Sequence, residues 1–360
     1  MRELIKPRCL TKEWLKSKAG GVSGDPVLVE KTIHAFALLG YLVQLEQNFV
    51  FKGGTSLLLH VPQIKRLSID IDIILGGNIE KFITKIETIP GDALFSRHEE
   101  NERGNRGLPN RRHFKFFYNS SLFDREESIL LDVVLENPDY VPFTEKKQIA
   151  MNLFETEAKL WVTVPTIEGL IGDKLTAFAP QTIGVPFENA TGNSMTMQVV
   201  KQLYDVGELF NIASDFENIQ TAFNVTFEKE NGYRSSKFTR EEVLRDTIDT
   251  CFALLQIRLR GFKNNKISDY LEDGIRKISS HLLNDRFTTD SKAKITASKV
   301  FYIASLLLNG KNMDFAKDLF RRDKIDTIAD VRLPAPYERL NKLKQILPEA
   351  FYYIWQGIRE

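Results

Sequence analysis

The stretch from Leu67 to Leu75, Leu-Ser-Ile-Asp-Ile-Asp-Ile-Ile-Leu, constrains this chain more than any other. Side chains along a β-strand alternate between faces, so Ile69, Ile71 and Ile73 fall on one side and Ser68, Asp70 and Asp72 on the other. The spacing predicts a strand with one apolar face for a core and two carboxylates on the opposite face. Two ionised groups so placed repel each other unless a cation or a solvated cleft compensates them.

The residues before this strand supply a partner for such a cation. Asp25 followed by Pro26 predicts a helix start, and Val29, Ile33, Phe36, Gly40 and Val43 continue it at helical spacing to near Gln47. Phe49-Val50-Phe51 then predicts a strand, Lys52-Gly53-Gly54-Thr55-Ser56 a tight turn, and Leu57-Leu58-Leu59 a helix. A turn of Gly53, Gly54, Thr55 and Ser56 opening a helix offers backbone N–H groups and small hydroxyls to an anion such as a nucleoside triphosphate. Mg²⁺, or Mn²⁺ in its place, takes a few carboxylates together with phosphate oxygens. The turn and the carboxylate strand thus explain each other, although each alone is also what a plain turn or a solvent-facing strand would show.

Further strands are predicted over His113 to Tyr118 and Ile129 to Glu136. Asp132 alternates with Leu131 and Val133, which makes it the candidate third metal ligand and the base for an incoming hydroxyl. A strand whose polar face meets solvent gives the same pattern, and Glu136 and Asp124 are weaker rivals. After about Pro165 the alternation gives way to helical stretches: Ile167 to Phe178, Met195 to Ile212, Arg240 to Ile257, Asp269 to Leu283, Lys292 to Leu308 and Tyr337 to Trp355. The fold class expected is α+β, with a sheet domain over residues 1–160 and a mainly helical domain over 161–360.

Composition narrows the setting. Lys plus Arg number 49 against 48 Asp plus Glu, so no broad positive field marks the whole chain as a nucleic-acid coat. Cationic residues are instead concentrated locally, at Arg103, Arg106, Arg111, Arg112, His113 and Lys115, with Phe114, Phe116, Phe117 and Tyr118 among or after them. The four arginines are candidate RNA contacts, and a solvated loop beside core aromatics is the competing reading. Cys9 and Cys251 stand alone, without CxxC or His neighbours, which argues against zinc and for a reducing compartment. No apolar run approaching the roughly 20 residues of a membrane span is expected, nor a signal peptide, which gives a cytoplasmic protein with no membrane partner.

The run FKGGTSLLLH, followed by RLSIDIDIIL, resembles the AbiEii/AbiGii-type toxin branch of the DNA polymerase beta-like nucleotidyltransferase superfamily. Gly172-Asp173-Lys174-Leu175-Thr176-Ala177 and Lys201-Gln202-Leu203-Tyr204-Asp205-Val206 resemble that family's later motifs. The resemblance implies a mixed nucleotidyltransferase sheet flanked by helices, with the helical domain contributing Lys174 and Asp205. It implies that Lys174 contacts the nucleotide phosphates, that Asp205 lies near the active site, and that Arg66 touches the triphosphate. By residue type alone, Lys174 and Asp205 would be solvated helix charges and Arg66 a surface charge. The resemblance further implies transfer of a nucleoside monophosphate from a triphosphate to an acceptor hydroxyl, with the 3′ end of tRNA as acceptor. A toxin–antitoxin or phage-defence role with a separately encoded antitoxin follows from the same likeness. The insert Pro180 to Asn193 departs from the pattern, and nothing after about residue 215 matches it. Three alternatives share parts of the site: an enzyme that nucleotidylates protein, a metal-dependent nuclease, and a non-catalytic nucleotide-binding partner.

Overall fold

The computed structural model describes residues 3–91, 94–100 and 109–359. The chain divides into two compact units, Met1–Thr166 with Ser280–Asp285, and Ile167–Ser279 with Arg286–Glu360. The division falls a few residues beyond the 160/161 boundary expected from sequence, and a short later segment returns to the first unit.

The first unit holds helices α1 (Lys12–Gly21), α2 (Pro26–Gln44), α3 (Gly53–Leu57) and α4 (Ile79–Ile86). Its strands are β1 (Phe49–Lys52), β2 (Ile71–Leu75), β3 (Arg97–Glu100), β4 (Arg111–Asn119), β5 (Glu126–Leu135), β6 (Thr144–Gln148) and β7 (Trp161–Pro165). Five form a mixed sheet in the order β1-β2-β5-β4-β3, with β2 and β5 parallel and the other pairs antiparallel, while β6 and β7 form a hairpin. Ile71, Ile73, Leu131, Val133, Phe114 and Phe116 line the buried face and share one core with α2. The opposite face carries the carboxylates.

Helix α2 starts as its cap predicts, with the Asp25 side chain accepting the Val27 N–H at 2.9 Å and Pro26 in the first turn. At 19 residues, with a mean hydropathy of 1.3 in its most apolar window, it is long and apolar enough to span a bilayer. That corrects the expectation that no run comes close. The helix is apolar nearly all round because it is a core helix: 72% of that window is buried.

Burial within α2 carries a pH consequence. His34 stacks on Tyr118 at 3.6 Å, and burial pushes its imidazole down to about 4. An unfolded histidine binds its proton near pH 6.5, so between pH 6.5 and 4 the unfolded chain is protonated there while the folded chain is not. Stability from this residue is therefore complete above pH 6.5 and is lost on acidification. By linkage, His34→Phe is expected to lose about 2–3 kcal/mol less than wild type when urea unfolding is compared at about pH 7 and pH 4.5. Equal losses would refute the assignment.

The second unit is helical: α5 (Ile167–Ala177), α6 (Thr196–Phe210), α7 (Phe216–Gly232), α8 (Arg240–Gln256), α9 (Lys266–Ile278), α10 (Lys292–Asn309), the single turns α11 (Phe315–Asp318) and α12 (Leu343–Ile346), and α13 (Pro348–Arg359). Helix α7 lies between the stretches expected to be helical up to Ile212 and from Arg240. Its Asp215 cap accepts the Asn218 N–H, and Phe216, Ile219, Ala222, Phe223 and Phe227 give it a buried stripe. At Gly172 of α5 a Cβ would sit 2.5 Å from the Phe223 backbone nitrogen, so these two helices touch backbone to backbone.

Candidate active site

Four strands bring four polar residues into one row. Lys52 on β1 is the register partner of Asp72 on β2, Asp72 is the partner of Asp132 on β5, and Asp132 is the partner of His113 on β4. Register partners share a face, so the row runs straight across the sheet on the side away from the α2 core. The neighbours of these residues along each strand, Phe51, Ile71, Ile73, Leu131, Val133 and Phe114, are buried. Asp72 and Asp132, the candidate third ligand, are thus side by side. His113 Nδ1 lies 2.6 Å from Asp132 Oδ1.

Asp70 is exposed and precedes β2, which begins at Ile71. The expectation of one regular strand from Leu67 is corrected accordingly: residues 67–70 lead into the strand without pairing in the sheet, and the Thr55 hydroxyl holds the Asp70 carbonyl at 2.5 Å. Asp70 stands two residues before Asp72, ahead of the paired strand rather than within the row. Glu136 follows the end of β5, and Asp124 is exposed in the turn between β4 and β5.

The glycine turn is shaped by the groups it meets. Gly53 has φ +79°, and a Cβ there would collide with the Asp72 carboxylate. A Cβ on Gly54 would lie 2.8 Å from Arg66 Nη2 and 3.0 Å from Ser68 Oγ. Glycine is required because a carboxylate and a guanidinium press against the backbone. Thr55 and Ser56 are fully buried, and the Ser56 hydroxyl donates to the Gly53 carbonyl at 2.9 Å. The expectation that these hydroxyls face an anion is therefore corrected. Each has one hydrogen, and both are spent on backbone carbonyls that tie the turn together.

Arg66 is buried, contrary to the surface reading of its charge, and its Nη1 donates to the Leu67 carbonyl at 3.0 Å. The segment returning at residues 280–285 holds it there. Leu67 N–H donates to the His281 carbonyl and Leu283 N–H to the Lys65 carbonyl, both at 2.8 Å, with Arg66 bridging Leu282. Sequence assigned Leu282 and Leu283 to a helix. That helix ends at Ile278, and the chain then extends to pair beside Arg66.

The cationic cluster is divided by the pleat of β4. Arg111, His113 and Lys115 share the parity of the carboxylate face, whereas Arg112 shares the parity of the buried Phe114 and Phe116. Arg112 is also bound through Nη2 to Glu100 Oε2 at 2.6 Å. This corrects its grouping with Arg111 as one RNA-facing patch. Arg103 and Arg106 lie outside the described residues.

In the helical unit, Lys174 on α5 and Asp205 on α6 form an ion pair at 2.7 Å, with side chains 3% and 2% exposed. Lys174 Nζ also reaches Gln202 Oε1 at 3.4 Å. The alternative that these are solvated helix charges is overturned by their burial. The Pro180 to Asn193 insert packs back on its own unit. Gln181 N–H and the Thr182 hydroxyl donate to Asp246 at 2.8 and 2.9 Å, and Phe187 stacks on Tyr270 at 5.0 Å. Desolvation holds the Asp246 carboxyl above its ordinary range.

Among the described residues no group of three or more His, Cys, Asp or Glu is arranged to hold a metal ion. The candidate ligands are carboxylates, Asp72 beside Asp132 in the row and Asp70 just ahead of β2, while the His113 imidazole is engaged with Asp132. Such a partial set fits Mg²⁺ or Mn²⁺, which bind through one or two carboxylates and complete their shell with water and substrate phosphates.

A sheet with paired carboxylates beside a glycine turn is the arrangement of a nucleotidyltransferase. The chain belongs to the AbiEii family, described as the nucleotidyl transferase AbiEii toxin of type IV toxin–antitoxin systems, whose model matches residues 37–262. A search of curated proteins gave no significant match. Among solved structures, the chain is similar to JHP933 from Helicobacter pylori at 13% identity, covering 78% of this chain and 93% of that one with a TM-score of 0.40. It is also similar to an antigenic nucleotidyltransferase-like protein from Paracoccidioides brasiliensis at 14% identity, covering 57% and 91% with a TM-score of 0.36. The family assignment rests on the sequence model.

Proposed function

We propose that the chain transfers a nucleoside monophosphate from a triphosphate to the 3′ hydroxyl of an RNA acceptor, tRNA in particular, and releases pyrophosphate in the cytoplasm. The observation that carries this reading is the row of Lys52, Asp72, Asp132 and His113 with Gly53 packed against Asp72. Asp70, Asp72 and Asp132 would hold Mg²⁺ or Mn²⁺, which when bound offsets phosphate charge and makes an attacking hydroxyl easier to deprotonate. Asp132 accepts the hydroxyl proton. Arg66 and the Gly53–Gly54 backbone bind the triphosphate, and the family resemblance gives Lys174, paired with Asp205, the phosphate-contacting role of a point positive charge. Arg111, exposed on the parity of the carboxylate face, is a contact for the acceptor backbone. A separately encoded antitoxin counters the activity, in a toxin–antitoxin or phage-defence setting.

The test is to offer each labelled triphosphate with Mg²⁺ to cellular RNA and to cellular protein. Wild type is expected to label RNA, and the Asp70→Ala/Asp72→Ala protein to label nothing. Label on protein alone would replace the acceptor class, and no label anywhere would sink the transferase reading for this chain.

A further inference from the structure

The hydrogen bond from His113 to Asp132 is given no part in the reaction proposed above, and sequence counted His113 only among the cations of its cluster. We propose that His113 is a positioning residue that fixes the rotation of the Asp132 carboxylate; the inference rests on Asp132 acting at the active site.

Three observations carry it. The 2.6 Å separation between His113 Nδ1 and Asp132 Oδ1 is that of a short hydrogen bond. An ionised carboxylate only accepts, so Nδ1 is the nitrogen that bears hydrogen. Second, the contact is set by the sheet: the two residues are direct register partners on antiparallel β4 and β5, which leaves little freedom in their separation. Third, both groups are largely withdrawn from water, with side chains 13% and 26% exposed, so solvent competes weakly for the bond.

The strand order gives the bond its effect. Asp132 stands between Asp72 on β2 and His113 on β4. A free carboxylate rotates, and its two oxygens are equivalent. The imidazole N–H claims Oδ1 and draws it toward β4, the side away from Asp72. Oδ2 is then the oxygen left for a cation or for the incoming hydroxyl. A neighbour that orients a ligating or proton-accepting carboxylate in this way typically accounts for about 10–100-fold in metal affinity or activity.

The test compares His113→Asn, whose side-chain amide can donate from near the place of Nδ1, with His113→Phe, which keeps a ring and loses the donor. Mn²⁺ binding is read by electron paramagnetic resonance in the absence of triphosphate and acceptor, alongside kcat and KM for transfer and the unfolding midpoint. His113→Phe is expected to weaken Mn²⁺ binding and lower kcat by about 10–100-fold with KM for the triphosphate nearly unchanged. His113→Asn is expected to restore most of both. His113→Phe matching wild type, or His113→Asn as impaired as His113→Phe at equal stability, overturns the inference. Asp132→Asn separates the two levels. If it loses Mn²⁺ binding and transfer while His113→Phe keeps them, only the role of His113 falls; if it keeps both, the reading of Asp132 falls first and His113 with it.

Discussion

Asp205→Ala is expected to lower the stability of the helical unit by about 3–5 kcal/mol, read as a shift of its urea transition, the range typical for removing one partner from a buried ion pair. The reason is what remains. Lys174 would keep its ammonium inside the unit with only the Gln202 carbonyl at 3.4 Å in place of a carboxylate at 2.7 Å. Desolvating a charge costs far more than one long hydrogen bond returns. The informative companion is the double replacement Lys174→Met/Asp205→Leu, which removes both charges and substitutes apolar side chains. It is expected to recover most of the lost stability, because a well-packed apolar pair is often as stable as the ion pair it replaces. It is also expected to transfer no label. A stable, inactive double variant would mean that the pair is kept for chemistry. A stable, active one would remove Lys174 and Asp205 from the proposed machinery and leave them a structural pair.

That separation matters because the sequence made this pair visible without explaining it. Lys174 and Asp205 stand out only through family motifs, since a lysine and an aspartate on amphipathic helices have solvated faces as their default. Their burial depends on how α5 and α6 pack, which no local pattern encodes. The carboxylate row shows the opposite case. Alternation around Asp72 and Asp132 fixes the face of each residue, so the polar side of the sheet was legible from residues 71–75 and 129–135. The register that makes Asp72 and Asp132 neighbours was not, because β2 and β5 are parallel and fifty residues of chain, 76–125, separate them. His113 was missed for the same reason: its partner is chosen by pairing across strands, and within its own segment it looks like one more cation among arginines.

Two misreadings share another cause, competition between local signals and distant contacts. The alternation from Leu67 promised a strand, but residues 65–67 bond instead to His281 and Leu283, and regular sheet pairing begins only at Ile71. Helical periodicity ran on to Leu283, yet the residues after His281 leave the helix for that same bond. Thr55 and Ser56 were expected to offer hydroxyls outward because small polar residues follow two glycines. The carbonyls of Gly53 and Asp70 claim those hydroxyls first, a local competition that composition alone does not reveal.

Gly53→Ala, set against Gly77→Ala, isolates what the glycine turn contributes. Both glycines have positive φ, +79° and +92°, so an alanine at either meets a similar backbone penalty of roughly 1–2 kcal/mol. Their surroundings differ completely. At Gly77 an added Cβ meets nothing within 4 Å, whereas at Gly53 it runs into the Asp72 carboxylate, with the Asp72 Cβ 3.1 Å away. The hard contacts are with the carboxylate itself, its Oδ2 and, at 2.9 Å, its Cγ, so relieving them displaces the group that faces Asp132. Displacing a reacting or metal-holding group by about 1 Å can cost about 100-fold in rate. Transfer by Gly53→Ala is accordingly expected to fall by about 100-fold or more, with Gly77→Ala close to wild type in transfer and Gly53→Ala the more destabilised of the two in urea, since it alone adds a clash to the backbone penalty. Equal loss of transfer in both would assign the effect to backbone strain and remove the close approach of Gly53 to Asp72 from the account of the site. A selective loss at Gly53 ties the first motif to the second by contact: the turn is glycine because the carboxylate needs the space.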